Sequence, residues 1–350
     1  MSDMVSSQPD NKPHVASPVQ RLTIDTIRTL AMDAVQKANS GHPGTPMALA
    51  PLAYTLWRDF LRYDPATPDW PNRDRFVLSV GHASMLLYAL LHLARVEEVD
   101  AHGRKTGKPA VSLDDIRQFR QLDSKTPGHP EYRVTTGVET TTGPLGQGCG
   151  NAVGMAIAER ALAVRFNRPG FTLINHDVYA LCGDGDMMEG VSSEAASLAG
   201  HLALSNLCWI YDSNHISIEG STKIAFTEEV GKRFESYGWS VIRVDDANDT
   251  DAIASALRTF RATPDKPTLI IVSSVIGWGS PRAGTEKAHG EALGAENVRL
   301  TKQAYGWSEE AQFRVPDGVI DAFSKALTDN GGKKRKEWEA LLENYRDRFP

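Results

Sequence analysis

The chain has 350 residues, and 41% of them are hydrophobic, which is enough for one large α/β domain with appendages or for two smaller domains. This composition excludes a disordered protein. A formal net charge of −6 argues against nucleic acid or an anionic membrane as the main partner.

The N-terminal residues 1–18 are polar and rich in Pro and Ser, without the apolar core of a signal peptide, and we expect a disordered leader there. No run approaches the roughly 20 apolar residues of a membrane-spanning helix. Three cysteines (Cys149, Cys182 and Cys208) lack the spacing of a metal site, which predicts buried free thiols. Together these features predict a cytoplasmic protein with no membrane partner.

The first helix is predicted from Val19 to Ala38 and ends at the sequence NSGHPG. His42 is held there between Gly and Pro. On composition alone, a functional histidine and a turn histidine that caps the helix are equally good interpretations.

A second histidine lies at a junction between elements. We predict a helix at Pro46–Leu61, a strand at Arg75–Ser79 and a helix at Met85–Ala94. His82 separates this strand from the helix that follows it, where helix N–H groups can meet a phosphate or substrate oxygen.

A long loop rich in Gly, Pro and Thr is predicted from Thr126 to Gly150, after a short helix at Leu113–Phe119. Loops of this length in compact proteins are usually functional, and irregular surface is the alternative. The loop contains His129, in the sequence TPGHPE, and Gly143 and Leu145, in GPLGQG.

The central stretch alternates strand and helix. After a helix at Asn151–Phe166, we predict a strand at Tyr179–Cys182, a tight GDG turn, a helix at Ser192–Leu204 and a strand at Leu207–Tyr211. Both strands are continuously apolar, as in a parallel sheet covered on both faces.

In a right-handed strand–helix–strand unit, both loops emerge at the carboxyl edge of the sheet. Asp184 and Asn214, 30 residues apart, should therefore lie side by side. Carboxylate, amide and carbonyl oxygens suit a hard cation such as Mg²⁺, and the glycine turn offers N–H groups to a phosphate. Each motif alone is more often an ordinary turn, so it is the pair that favours a site.

The remaining elements complete an α/β pattern. We predict helices at Thr227–Tyr237 and Asp251–Phe260, strands at Trp239–Val244 and Pro267–Ser273, and a charged helical region from Ala295 onward. His289 follows the last strand. The pattern predicts a doubly wound, mostly parallel sheet with helices on both faces and a C-terminal helical extension, whose apolar stripe (Trp338, Leu341, Leu342, Tyr345 and Phe349) packs on its own domain.

Several of these motifs resemble the transketolase family: SGHPG, VGHAS, TPGHPE, GPLGQG, GDGDMMEG followed by DSN, and KAHG. The resemblance runs from about Val19 to the end and is to the N-terminal, diphosphate-binding half. It implies thiamine diphosphate with Mg²⁺ or Ca²⁺, and transfer of a two-carbon ketol unit from a ketose phosphate to an aldose phosphate in the pentose phosphate pathway. It also implies a homodimer.

The resemblance also implies a role for each site residue. Asp184, Asn214 and the carbonyl of Ile216 would hold the metal, and Asn214 also counts among the cofactor contacts. The diphosphate would meet Gly185, His82 and His289, the pyrimidine Gly143 and Leu145, and the sugar His42, His129 and His289. Glu189 and Glu194 would join a carboxylate network across the dimer interface, Glu189 next to the cofactor; carboxylates favoured at a helix start are the alternative.

Usual family members are about twice this length, and the resemblance places the glutamate that activates the cofactor in a second domain. We therefore expect a leader (1–18), a cofactor-binding α/β domain (19–295) and a helical extension (296–350) toward a complementary pyrimidine-binding domain or subunit that turnover requires. A truncated product, an expressed fragment and one subunit of a split enzyme all agree with this. Dihydroxyacetone synthase, another thiamine-diphosphate enzyme subunit and a non-catalytic binding protein are the alternative functions.

Overall fold

Nine strands lie within residues 17–350, the part of the chain that this computed structural model describes. They are β1 (Arg75–Leu78), β2 (Glu97–Val99), β3 (Lys105–Pro109), β4 (Val178–Gly183), β5 (Leu207–Ser213), β6 (Ile216–Ser217), β7 (Gly220–Ser221), β8 (Ser240–Val244) and β9 (Thr268–Ser273). Five form one parallel sheet in the order β1-β4-β5-β9-β8, and these are the five predicted strands. The pairs β2–β3 and β6–β7 are antiparallel and were not predicted, because short polar strands carry no hydrophobic alternation.

Twelve α-helices lie in the same described range. They are α1 (Pro18–Ala38), α2 (Gly44–Thr55), α3 (Ser84–Leu93), α4 (Leu113–Arg117), α5 (Gln147–Phe166), α6 (Asp184–Met188), α7 (Gly190–His201), α8 (Val230–Ser236), α9 (Thr250–Ala262), α10 (Ala295–Ala304), α11 (Val319–Leu327) and α12 (Lys333–Arg348). The helix predicted at Pro46–Leu61 is α2 followed by a π-helical turn at Leu56–Phe60. The predicted start of α5 is wrong by four residues: the helix begins at Gln147, inside the predicted loop, because Gly146 caps it with a left-handed φ of 80°. The predicted leader lies outside the described residues, apart from Ser17, whose side chain caps α1, and Pro18, which begins that helix.

Alternate residues of each central strand face opposite sides of the sheet. Along β4, Val178, Ala180 and Cys182 pack into one core with α5, α7 and α8, whereas Tyr179 and Leu181 pack into a larger core with α1, α2, α3 and α9. Burial on both faces explains the continuous apolar runs. The sheet is thus doubly covered, as predicted, and all three cysteines are free and buried.

The C-terminal helix α12 crosses the amino edge of the sheet. The Trp338 ring packs against Trp70 at 5.8 Å between centroids, and its Nε1–H donates to the Leu173 carbonyl at 2.7 Å. Tyr345 and Phe349 both pack edge-on to Phe171. These contacts confirm that the apolar stripe packs on its own domain. Within residues 17–350, no helix has the length and apolar character needed to cross a bilayer.

Candidate functional site

The site lies at the carboxyl edge of β4 and β5, where strand pairing aligns Gly183 with Asp212. Asp184 follows at once and is buried. Its Oδ1 accepts the Tyr211 hydroxyl at 2.6 Å and its Oδ2 accepts the His215 backbone N–H at 2.9 Å. The predicted tight GDG turn is in fact the first turn of α6, with Asp184 as its first residue.

The second strand end brings the predicted amide and carbonyl into the same place. The Asn214 Oδ1 accepts the Ile216 N–H at 2.9 Å, and its Nδ2 donates to Asp212 at 2.8 Å. Asp184, Asn214 and Ile216 line one cavity, so the side-by-side placement predicted from the strand–helix–strand unit is confirmed by the geometry.

Two buried carboxylates at this edge were not among the predicted site residues. Asp186 accepts the Ser79 hydroxyl and the Gly146 N–H, both at 2.7 Å, and the Gly183 N–H at 2.8 Å. It therefore ties the ends of β1 and β4 to the glycine loop before α5. Asp212 accepts the Ser274 hydroxyl and the Asn214 amide, so it fixes the orientation of Asn214.

The carboxylates at this edge are stabilised by hydrogen bonds rather than by ion pairs. Burial raises the pKa of Asp184 and of Asp186 above the usual aspartate value. Burial, together with the charge of Asp184, raises the pKa of Asp212 to about 7. Among residues 17–350, these three side chains contact no Lys, Arg or His side chain within ion-pair distance. Burial without a side-chain cation disfavours the charged form of each carboxyl, which is why their pKa values are raised.

Three histidines from distant parts of the chain form a cluster on the other side of the cavity. The His42 ring centroid lies 4.7 Å from that of His82 and 5.7 Å from that of His289, and His82 and His289 are 5.1 Å apart. Burial is the main reason why the pKa of each ring is lowered, to about 3 for His42 and well below the usual value for His82. All three imidazoles are therefore neutral near pH 7, so each carries one N–H donor and one acceptor nitrogen.

The glycines of the loops let backbone and rings approach closely. A side chain at residue 185 would place its Cβ 2.8 Å from the Leu145 side chain, and one at residue 143 would lie 3.4 Å from the His129 ring. At residue 44 a Cβ would come within 2.3 Å of the Ala288 carbonyl oxygen. Packing against backbone thus requires a glycine at residue 44, whereas at residue 143 the positive φ of 154° favours one.

The cavity has a volume of about 330 Å³. Its lining includes every predicted site residue except Glu189: His42, His82, His129, Gly143, Leu145, Asp184, Gly185, Asn214, Ile216 and His289. Apolar side chains that the sequence analysis did not identify complete it, namely Val80, Met188 and Ile218. Glu189 and Glu194 are exposed and are not part of the cavity lining formed by residues 17–350.

Comparison with known proteins agrees with this geometry. Residues 19–350 match a family model described as the thiamine diphosphate binding domain of transketolase. The chain belongs to the transketolase family. It is 53% identical over 337 residues to the transketolase of Geobacillus stearothermophilus, covering 96% of this chain and 48% of that protein. It is 48% identical to transketolase 1 of Saccharomyces cerevisiae, covering 95% of this chain and 47% of that protein.

Solved structures give the same result. The transketolase of Leishmania mexicana superposes with a TM-score of 0.89 at 46% identity, over 96% of this chain and 48% of that one. A Pichia stipitis transketolase in complex with sedoheptulose-7-phosphate also has a TM-score of 0.89, at 44% identity, over 95% of this chain and 47% of that one. This chain therefore spans about half the length of the curated transketolases that it matches.

Proposed function

We propose that this chain provides the thiamine diphosphate and metal half of a transketolase active site. The reaction is transfer of a two-carbon ketol unit from a ketose phosphate to an aldose phosphate. One observation carries the proposal: ten residues assigned from separate motifs line a single cavity, although they come from segments as distant as SGHPG and KAHG. A related structure in complex with a ketose phosphate supports this substrate class.

The donor atoms suit Mg²⁺ or Ca²⁺. Asp184, Asn214 and the Ile216 carbonyl offer only oxygen, which is the ligand type that both ions take, and water and a diphosphate would complete the coordination. The raised pKa of Asp184 supports the assignment, because a buried carboxylate without a cation is costly and a divalent ion removes that cost.

The diphosphate would lie against Gly185, His82 and His289. The His289 Nδ1 is buried and, among the described residues, has no hydrogen-bond partner, which leaves it free for a ligand. Gly143 and Leu145 would line the pyrimidine. Because Leu145 already occupies the space beside Gly185, the loop and the metal-binding turn form one continuous surface for the cofactor.

When bound, thiamine diphosphate supplies carbanion stabilisation, and the protein orients the reactants. His42, His129 and His289 would face the sugar. As neutral imidazoles they can donate hydrogen bonds to its carbonyl and hydroxyl oxygens, accept them, and move protons between these oxygens near neutral pH.

We also propose a partner domain, a homodimer and a pathway for this chain. A complementary pyrimidine-binding domain or subunit would complete the site, residues 19–295 forming the cofactor domain and 296–350 leading toward that partner. Exposed Glu189 and Glu194 suit a carboxylate network across a homodimer interface, because neither carboxylate has an ion-pair partner among residues 17–350. The enzyme would act in the cytoplasmic pentose phosphate pathway.

The test is ketol transfer by the purified chain with thiamine diphosphate and Mg²⁺, measured alone and after addition of a separately expressed complementary domain. We expect turnover only after the addition, and thermal stabilisation by cofactor plus metal in both cases. Transfer by the chain alone would contradict the half-site assignment. Absence of both transfer and stabilisation would show that the chain does not bind the cofactor.

A further inference from the structure

Arg120 lies behind the histidine cluster, on the loop after α4, with a left-handed φ of 61°. Its Nη1 donates to the Ser40 hydroxyl at 2.8 Å, and its Nη2 faces the Nδ1 of His42 at 3.5 Å. No ion pair with a carboxylate is found for it within residues 17–350. Burial lowers the pKa of its guanidinium, and no neighbouring anion opposes that effect.

The surroundings hold the guanidinium in this position. A Cβ on Gly128 would lie 2.8 Å from the Arg120 Nε, so the glycine next to His129 makes room for the side chain. The Arg120 Cζ also lies 5.6 Å from the centre of the Phe119 ring. An uncompensated cation fixed on several sides, beside neutral imidazoles, calls for a role other than an ordinary surface ion pair.

The role follows from hydrogen-bond chemistry. Arginine is only a donor, so the ring nitrogen that faces it must be the acceptor, without a hydrogen. In a neutral imidazole the other nitrogen then carries the hydrogen. The Nε2 of His42 is on the side of Gly290, 3.3 Å from the position of a Cβ there, and His42 lines the cavity.

We propose that Arg120 is a positioning residue that holds neutral His42 as the Nε2–H tautomer, so that this N–H is presented to the cavity. Burial, followed by the charges of His289, Arg120 and His129, lowers the pKa of His42 and keeps the ring neutral. The catalytic meaning, a hydrogen bond to a substrate oxygen, rests on the proposed function, but the tautomer itself requires no turnover.

The test is nuclear magnetic resonance of the chain labelled with ¹⁵N-histidine, which reports which ring nitrogen carries the hydrogen. His42→Gln assigns the His42 signals by their loss, and exposed His102 is the internal reference. Spectra are collected from about pH 8 down to the lowest pH at which the chain stays folded, because the pKa of His42 is lowered to about 3. We expect wild-type His42 to remain neutral and to show a single Nε2–H tautomer.

Variants separate the charge of Arg120 from its geometry. Arg120→Met should give mixed tautomers and raise the pKa of His42 by about 1, because a nearby cation is lost. Arg120→Lys keeps the charge without the planar fork, so the pKa should stay low while the tautomers mix. Ser40→Ala should give a partial mixture of His42 tautomers. The control variant Arg117→Met, which removes a cation from α4, should change neither the tautomer nor the pKa of His42.

An Nδ1–H tautomer in the wild type would overturn the proposal. So would an unchanged tautomer in Arg120→Met or, if that variant does not fold, in both Arg120→Lys and Ser40→Ala. These readings need no cofactor and no second domain. The tautomer can therefore be read from the spectra even if the chain shows no ketol transfer. Conversely, a tautomer other than the expected one would not affect the result of the transfer assay.

Discussion

Buried aspartates lie at both edges of the sheet, and two of them, Asp74 just before β1 and Asp184 just after β4, have partners of different kinds. At the amino edge, Asp74 accepts a hydrogen bond from the backbone N–H of Asp177. It also forms ion pairs with the guanidiniums of Arg62 at 3.3 Å and of Arg261 at 4.0 Å. At the carboxyl edge, Asp184 is held by a hydroxyl and a backbone N–H instead.

The two aspartates differ in whether a side-chain cation of the chain pairs with the carboxylate. At the amino edge, the guanidiniums of Arg62 and Arg261 compensate the charge of Asp74. At the carboxyl edge, no side-chain cation of residues 17–350 pairs with Asp184, and the proposed metal ion would bind there. The contrast supports the proposed site independently of any relative, because burial of a charged carboxylate without a counter-charge is costly.

The largest expected effects come from neutralising one aspartate at each edge. Asp74→Asn leaves two largely buried guanidiniums without their carboxylate, and the free energy of unfolding should fall by about 3 kcal/mol. Asp184→Asn should change it by less than about 1 kcal/mol, because the amide can still accept from His215 and donate to Tyr211. Thermal or urea unfolding without cofactor measures both.

Addition of thiamine diphosphate and Mg²⁺ should remove most of the difference in stability between the two variants. At 100 times the dissociation constant, the wild type gains about 2.7 kcal/mol, and Asp184→Asn should lose this gain. Asp74→Asn, where folded, should keep it. Equal cofactor stabilisation in Asp184→Asn and the wild type would show that Asp184 is not a metal ligand.

A second pair of variants compares glycines that are packed against backbone at the two edges. A Cβ at residue 44 would lie 2.3 Å from the Ala288 carbonyl oxygen, and one at residue 331 would lie 1.8 Å from that of Tyr63. Both Gly44→Ala and Gly331→Ala should destabilise the fold by about 1–3 kcal/mol through overpacking.

Only Gly44→Ala should also weaken cofactor binding, because the segment it displaces carries His289. Calorimetric titration with thiamine diphosphate and Mg²⁺ distinguishes the two variants. Gly154→Ala is the control, since a Cβ there meets nothing within 4 Å and lies on the helix α5. It should be neutral or slightly stabilising. Equal loss of affinity in Gly44→Ala and Gly331→Ala would mean that the effect is global.

The sequence predicted the five central strands and most of the cavity lining because both are encoded locally. Continuous apolar runs mark strands covered on two faces, and rigid segments such as SGHPG mark a histidine held in a loop. Parallel topology then brings the strand ends together, so Asp184 and Asn214 could be placed without a structure.

The contacts that sequence analysis did not find are between distant residues. Asp186 meets Ser79 across 107 positions, and Arg120 meets His42 across 78. Nothing in the local pattern around either partner indicates the other. The start of α5 was predicted too late for a related reason. Gly146 is typical of a loop, but its N–H donates to Asp186, which is 40 positions away, and this contact fixes the helix cap.

The third comparison concerns the pH dependence of stability, for which the two edges should behave alike. Burial lowers the pKa of His42 to about 3, and burial with three nearby arginines does the same for His176 at the amino edge. The unfolded chain binds a proton near the usual value of about 6.5 and the folded chain does not, so stability falls as the pH drops from about 6.5 toward 3. Each ring contributes up to about 1.4 kcal/mol per pH unit.

His42→Gln and His176→Gln should each flatten this part of the curve by about one proton, as urea unfolding at several pH values can measure. Carboxylates with a raised pKa, such as Asp184 and Asp212, act in the opposite direction, so the comparison is between variant and wild type rather than on the absolute slope. A slope for His42→Gln equal to that of the wild type would mean that the ring is already protonated in the folded chain. Equal flattening in the two variants would show that a lowered histidine pKa reports burial at either edge, and that the clustering of His42 with His82 and His289 around a cavity is what distinguishes the site.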